Sequence, residues 1–258
     1  MSGHWQQVPL ADPPPARPSD PGAGRAEALR CWWSAPLGRP PRAGVLVLPE
    51  VFGVNGWVRS VADRLAAEGY GALAVPLFQH TAPGLELGYG PEDLPLGRSH
   101  KERTSADQLL ADIGAAAAWL QHRCGGRPLG CVGFCFGGHV AWLAATLPAV
   151  AATVSCYGAG VVGGRPGGGP PTLAVLPAIS GHLLCLYGRR DPLIPPADVA
   201  AVAAALAATP ERHRLLQLDA GHGFLCDQRA DFNPEAARLG WQELLGWFDG
   251  HLRAAGLP

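Results

Sequence analysis

The stretch Gly133-Phe134-Cys135-Phe136-Gly137 constrains this chain more than any other. An apolar run, Leu129-Gly130-Cys131-Val132, leads into it. Gly138-His139-Val140-Ala141-Trp142-Leu143-Ala144-Ala145 follows, with the composition of a helix. A strand, a sharp turn and a helix around one nucleophilic side chain make a nucleophile elbow, in which small flanking residues let strand and helix pack closely. Cys135 takes the middle position, where most elbows of this type carry serine. By itself the pentapeptide has a plain alternative: a glycine-rich turn around a buried thiol, since free cysteine is often a small core residue.

The rest of the chain supplies the alternation that such an elbow needs. Short apolar runs at 45–48, 72–75, 151–156, 183–186 and 213–218 read as strands, with an early strand over 28–34. Helical patterns over 57–68, 106–122, 197–208 and 234–255 lie between and after them. Runs that are apolar throughout are the mark of strands buried on both faces. Strands alternating with helices predict a mostly parallel sheet flanked by helices, with ligands bound beyond the carboxyl ends of the strands. Residues 77–104 and the glycine- and proline-rich segment 158–172 read as irregular. Residues 1–25 read as a Pro/Gly-rich arm ahead of a single domain over 26–258.

Length and composition set bounds on function. The 258 residues, 48% of them hydrophobic and 16% charged, suffice for one α/β domain with a full core. A formal net charge of −1 gives no support for nucleic-acid or anionic-membrane binding. The seven cysteines are an odd number, several lie in predicted strands, and none is spaced for zinc; they read as free thiols of a reducing, cytoplasmic compartment. No signal peptide or membrane-length apolar run is visible. No metal or organic cofactor is expected.

A cysteine nucleophile needs a base, and the base needs an orienting group. Behind an elbow these follow in the order nucleophile, acid, histidine. After the strand at 183–186 comes Tyr187-Gly188-Arg189-Arg190-Asp191-Pro192; after the strand at 213–218 comes Asp219-Ala220-Gly221-His222-Gly223-Phe224. Asp191 and His222 therefore stand at strand ends in the required order. Asp198 and Asp219 compete for the acid position, although a helix start explains the first and a strand end the second.

At this point the sequence resembles a known family. Leu48-Pro49-Glu50-Val51-Phe52-Gly53-Val54-Asn55, the Cys135 elbow, Gly188-Arg189-Arg190-Asp191-Pro192-Leu193-Ile194-Pro195 and Gly221-His222-Gly223-Phe224 are similar to the dienelactone hydrolases over roughly residues 44–250. The resemblance implies an α/β-hydrolase fold and hydrolysis of lactones and esters. It implies Cys135 as nucleophile, His222 as base and Asp191 as orienting acid. It also implies a role for Glu50 beside the cysteine, where a carboxylate disfavours the thiolate until substrate moves it; the plain alternative is a solvated loop charge. The oxyanion hole is expected from the backbone N–H groups of Val51 and Phe136.

The likeness has departures. The family's arginine four residues after the histidine is Cys226 here, with Arg229 three residues further on. Leu77 and Gln79 replace the usual Asp and Tyr of the segment at 76–79. Substrate contacts are expected from Phe52, Phe78, Phe224, Gln79 and His80, and from Arg103 among the basic residues Arg98, Lys101 and Arg103. The aromatic residues also fit a core. The expected activity is cleavage of a small ester or lactone by a monomer or weak homodimer. The rivals are a thioesterase or acyl-transfer enzyme using the same site, and a non-catalytic ligand-binding or thiol redox-sensing scaffold.

Overall fold

A computed structural model describes residues 3–10 and 27–252. Its strands are β1 (His4–Pro9), β2 (Ala28–Ser34), β3 (Gly44–Leu48), β4 (Gly71–Ala74), β5 (Leu129–Phe134), β6 (Val150–Cys156), β7 (His182–Gly188) and β8 (His213–Leu218). Its helices are α1 (Gly56–Ala67), α2 (Asp93–Glu102), α3 (Ala106–Arg123), α4 (Phe136–Ala144), α5 (Pro196–Leu206) and α6 (Pro234–His251).

Every side chain of β3 is apolar because both faces of the strand are covered. Val45 and Val47 enter one core with Trp57, Val58 and Leu65 of α1 and Leu244 and Phe248 of α6. Leu46 and Leu48 enter a second core with Leu109 and Ile113 of α3 and Val140 and Ala141 of α4. The two-residue period of a strand thus sorts one continuous run into two layers. Each fully buried aliphatic side chain contributes roughly 1.5–3 kcal/mol.

The eight strands form one sheet in the order β1-β2-β4-β3-β5-β6-β7-β8. β1 and β2, and β2 and β4, pair antiparallel; all other neighbours pair parallel. The register aligns the carboxyl ends: Leu48 lies beside Gly133, Phe134 beside Cys156, Cys156 beside Leu186, and Gly188 beside Leu218. Glu50, Cys135, Asp191 and His222 each follow one of these strand ends, so the sheet delivers all four to the same edge.

The structure differs from the sequence expectation in two places. Residues 4–9 of the expected arm form β1, held by the ladder to β2, by Val8 in the core and by Trp5, which packs edge-on to Trp32 at 5.4 Å. As an edge strand with one fully buried residue it has no apolar run to announce it; residues 11–25 of the expected arm lie outside the described residues. Within the segment expected to be irregular, α2 forms despite Pro95 and Gly97. Pro95 falls in the first turn, where its missing N–H costs nothing. Gly97 is required by packing: a Cβ there would stand 2.4 Å from the Val51 carbonyl oxygen.

The closest approach is at the elbow. A Cβ on Gly133 would lie 1.9 Å from Gly137 O, which is main chain and has no room to yield. Gly133→Ala is expected to destabilise the protein by about 3 kcal/mol or more through overpacking, measured by urea unfolding.

Candidate active site

Cys135 stands between β5 and α4 with φ 53° and ψ −115°, a region that residues with a side chain seldom occupy. Two hydrogen bonds hold the turn: Cys135 N–H donates to Cys156 O and His139 N–H donates to Cys135 O, both at 3.0 Å. The thiol is partly exposed, whereas the other six cysteines are buried; all seven are free. The backbone N–H groups of Val51 and Phe136 make no hydrogen bond among the described residues. For Phe136 the reason is its place in the first turn of α4, where donors have no intrahelical partner.

His222 is buried and oriented from behind. Its Nδ1 donates to Asp191 Oδ2 at 2.8 Å. Asp191 Oδ1 accepts from Leu193 N–H at 2.8 Å, so neither carboxylate oxygen is free to turn away. The Tyr157 ring packs edge-on against the imidazole at 5.2 Å. This fixes the tautomer and leaves Nε2 buried without a hydrogen bond of ordinary geometry. Burial alone would weaken the imidazolium. The charge of Cys135 and the hydrogen bond to Asp191 outweigh it and raise the His222 pKa to about 10. The two competing acids are occupied elsewhere: Asp219 pairs with Arg190 at 2.8 Å on the surface, and Asp198 lies in the first turn of α5.

Glu50 is fully buried. Its Oε1 accepts from Arg229 Nη1 at 2.8 Å, and its Oε2 has no hydrogen bond of ordinary geometry. Burial pushes the carboxyl above the usual carboxylate range against the opposing pull of Arg229 and His222. Arg229 also reaches Asp231 at 3.3 Å. Its own burial is offset by Glu50 and Cys135, which keep its pKa above the ordinary value.

A cavity of about 320 Å³ opens beside this cluster. Cys135, His222 and Arg229 line it together with Val51, Phe52 and Phe136. Leu94, Arg98 and Lys101 close it from α2, and Leu193 from the Asp191 loop. No carboxylate lines it, and Arg98 and Lys101 form no ion pair among the described residues. No cluster of three or more histidine, cysteine or acidic residues able to hold a metal occurs among the described residues.

The model of the "Dienelactone hydrolase family" matches residues 33–252. The chain belongs to the dienelactone hydrolase family. A "Putative carboxymethylenebutenolidase" of Synechocystis sp. is 41% identical over 212 residues, covering 81% of this chain and 86% of that protein. A protein of the same name from Escherichia coli K12 is 33% identical over 213 residues, covering 81% and 77%. The crystal structure of a "Putative Dienelactone Hydrolase" from Klebsiella pneumoniae superposes with a TM-score of 0.80 at 27% identity, covering 96% of this chain and 99% of that one. The sheet described above is that of the α/β-hydrolase fold, and the protein is an ester or lactone hydrolase.

Within this member of the dienelactone hydrolase family, five of the expected substrate contacts stand away from the cavity. Phe224 is fully buried and packs on Tyr157 at 5.3 Å. Phe78 stacks on Phe136 from behind at 5.9 Å. His80 binds Asp112 at 3.0 Å, Gln79 is buried, and Arg103 turns to His100 at 2.6 Å. Phe52 does line the cavity. Arg98, Lys101 and Arg229 line it as well, whereas the sequence pointed to Arg103 as the basic contact. The helical phase of α2 presents 94, 98 and 101 on one face and turns 103 away, and that phase was hidden while the segment read as irregular.

Two outcomes follow from these charges. A folded-state pKa of about 10, above the unfolded ~6.5, means that the stability His222 contributes is full below ~6.5 and lost as pH rises through 10. An NMR titration of the His222 ring is expected to give a midpoint well above ~6.5, falling in Cys135→Ala. Arg229→Met strands a buried carboxylate and is expected to cost about 3 kcal/mol by chemical unfolding, with Glu50→Gln in the same chain recovering part of the loss.

Proposed function

We propose that the protein hydrolyses a small, anionic ester or lactone through a covalent acyl-enzyme at Cys135. The observation that carries the reading is the ordered chain Asp191–His222, whose Nδ1 is held by the carboxylate and whose imidazole is coupled to Cys135 in the cavity that both residues line. A protonated His222 is the counter-ion of a Cys135 thiolate. The thiolate attacks the substrate carbonyl carbon. The charge that develops on the carbonyl oxygen meets the backbone N–H groups of Val51 and Phe136, donors of a kind worth about 3 kcal/mol each. The C–O bond then breaks, and the leaving oxygen takes its proton from His222 Nε2. Neutral His222 next removes a proton from water, the hydroxide attacks the thioester, and the acid leaves as the thiolate and imidazolium are restored. Asp191 keeps the ring in place through both steps.

Glu50 acts as a gate in this reading. A carboxylate buried close to the site opposes thiolate formation, and a carboxyl whose pKa is raised can carry the proton that substrate binding moves. The substrate is an anion, because the cavity presents Arg98 and Lys101, which form no ion pair among the described residues, and no acidic wall. A guanidinium can take a carboxylate in two parallel hydrogen bonds. The same arrangement of groups serves a thioester substrate equally well.

Wild-type protein is expected to release a burst of p-nitrophenol from p-nitrophenyl acetate and to carry the acetyl group on Cys135 by mass spectrometry. Cys135→Ala is expected to lose turnover by ~10³-fold or more. Equal turnover in the two proteins would remove Cys135 as the nucleophile, and no turnover in either would favour a non-catalytic scaffold. For the gate, Glu50→Gln is expected to change both turnover and the rate of thiol alkylation; unchanged values for both would remove Glu50 from the mechanism.

A further inference from the structure

The space beside Cys135 does not end at Phe136. A second cavity of about 370 Å³ adjoins the first, and the two share Lys101, Phe136, Ala159 and Gly160 as walls. The glycine-rich segment after β6 closes its far side, with Arg165 among the lining residues. Missing side chains make the room. A Cβ on Gly163 would meet nothing within 4 Å, and one on Gly164 nothing nearer than Gly160 O at 3.8 Å.

The wall is nevertheless fixed. Gly164 N–H donates to Gly160 O and Thr172 N–H donates to Gly164 O, both at 3.0 Å. Ala106 N–H donates to Pro166 O at 2.8 Å, which ties the segment to the start of α3. His139 forms another wall with both ring nitrogens engaged, Nδ1 on Ala159 O at 2.9 Å and Nε2 on Thr172 Oγ1 at 2.7 Å. Burial pushes its pKa down to about 4, with Lys101 adding to the effect, so it stands neutral and the charge of the cavity lies elsewhere. Lys101 at the junction and Arg165 beyond it form no ion pair among the described residues; Glu102 is the acidic side chain of this wall.

The position of His222 decides which part of a substrate enters. A leaving oxygen must lie within hydrogen-bond reach of Nε2 to be protonated. His222 borders the first cavity and not the second. The geometry points to the second cavity as an acyl-chain subsite, in which Arg165 and Lys101 hold a carboxylate at the end of the chain. The substrate class is the monoester of a dicarboxylic acid. This inference rests on Cys135 being the nucleophile.

The test compares p-nitrophenyl acetate, p-nitrophenyl hexanoate and the p-nitrophenyl monoester of adipic acid, which share one leaving group. In wild type kcat/KM is expected to be about tenfold or more higher for the adipate monoester than for the hexanoate, the effect of one charge-assisted contact. Arg165→Met is expected to bring that ratio close to one, and Arg165→Lys to retain most of it. Gly164→Leu, which fills the space, is expected to lower hexanoate and adipate turnover relative to acetate. Equal hexanoate and adipate rates in wild type, or ratios unmoved by Gly164→Leu, would overturn the subsite and leave the Cys135 reading standing. Acetate turnover that is absent, or that persists in Cys135→Ala, would overturn the Cys135 reading and the subsite with it.

Discussion

Gly133, Gly137 and Gly138 stand where main chains approach more closely than any side chain permits. Cβ atoms there would lie 1.9 Å from Gly137 O, 2.3 Å from Leu48 O and 2.4 Å from Cys156 O. The first turn of α4 can therefore sit directly on the ends of β3, β5 and β6. That contact forces Cys135 into its unusual backbone conformation, a strain of about 1–3 kcal/mol that the surrounding packing holds in place. It also sets the Phe136 N–H and the Val51 loop on the same cavity. The loops carrying Asp191 and His222 need only follow the register of β7 and β8 to arrive beside it.

The same edge of the sheet gathers buried charge. Glu50 and Asp191 have little or no exposure, and each depends on one basic partner, Arg229 and His222. Buried pairs of this kind gain little net stability, because desolvation offsets most of the attraction, but losing one partner is costly. The two pairs also sense each other: His222 lowers the Glu50 pKa, and Cys135 raises the pKa of both His222 and Arg229. A charge change at the thiol is therefore felt across the whole cluster. Around it, Arg98, Lys101 and Arg165 stand at the cavity walls and form no ion pair among the described residues.

Some of this is legible in the sequence. The elbow, the alternating strands and helices, and the order Cys135, Asp191, His222 are local patterns, and the structure brings these residues to one sheet edge. The wall residues were harder to read. Arg103 looked as eligible as Arg98 or Lys101, because Pro95 and Gly97 masked the helix whose phase separates them. Phe224 and Phe78 carry the composition of a binding wall and serve as packing. His80 is drawn off by Asp112, a residue 32 positions away on α3. Arg229 meets Glu50 across 179 residues, a separation at which no local pattern operates.

The sequence by itself determined the layer architecture and the tight turn that carries Cys135, because hydrophobic period and glycine spacing act over a few residues. It also determined that Asp191 and His222 stand at successive strand ends, since each follows a strand of recognisable composition. Only the tertiary structure decided which cations face the cavity and which partner holds Glu50. It alone showed that the glycine-rich segment walls a second space. Those outcomes depend on distances between residues far apart in the chain, and such distances exist only once the sheet has brought its strand ends together.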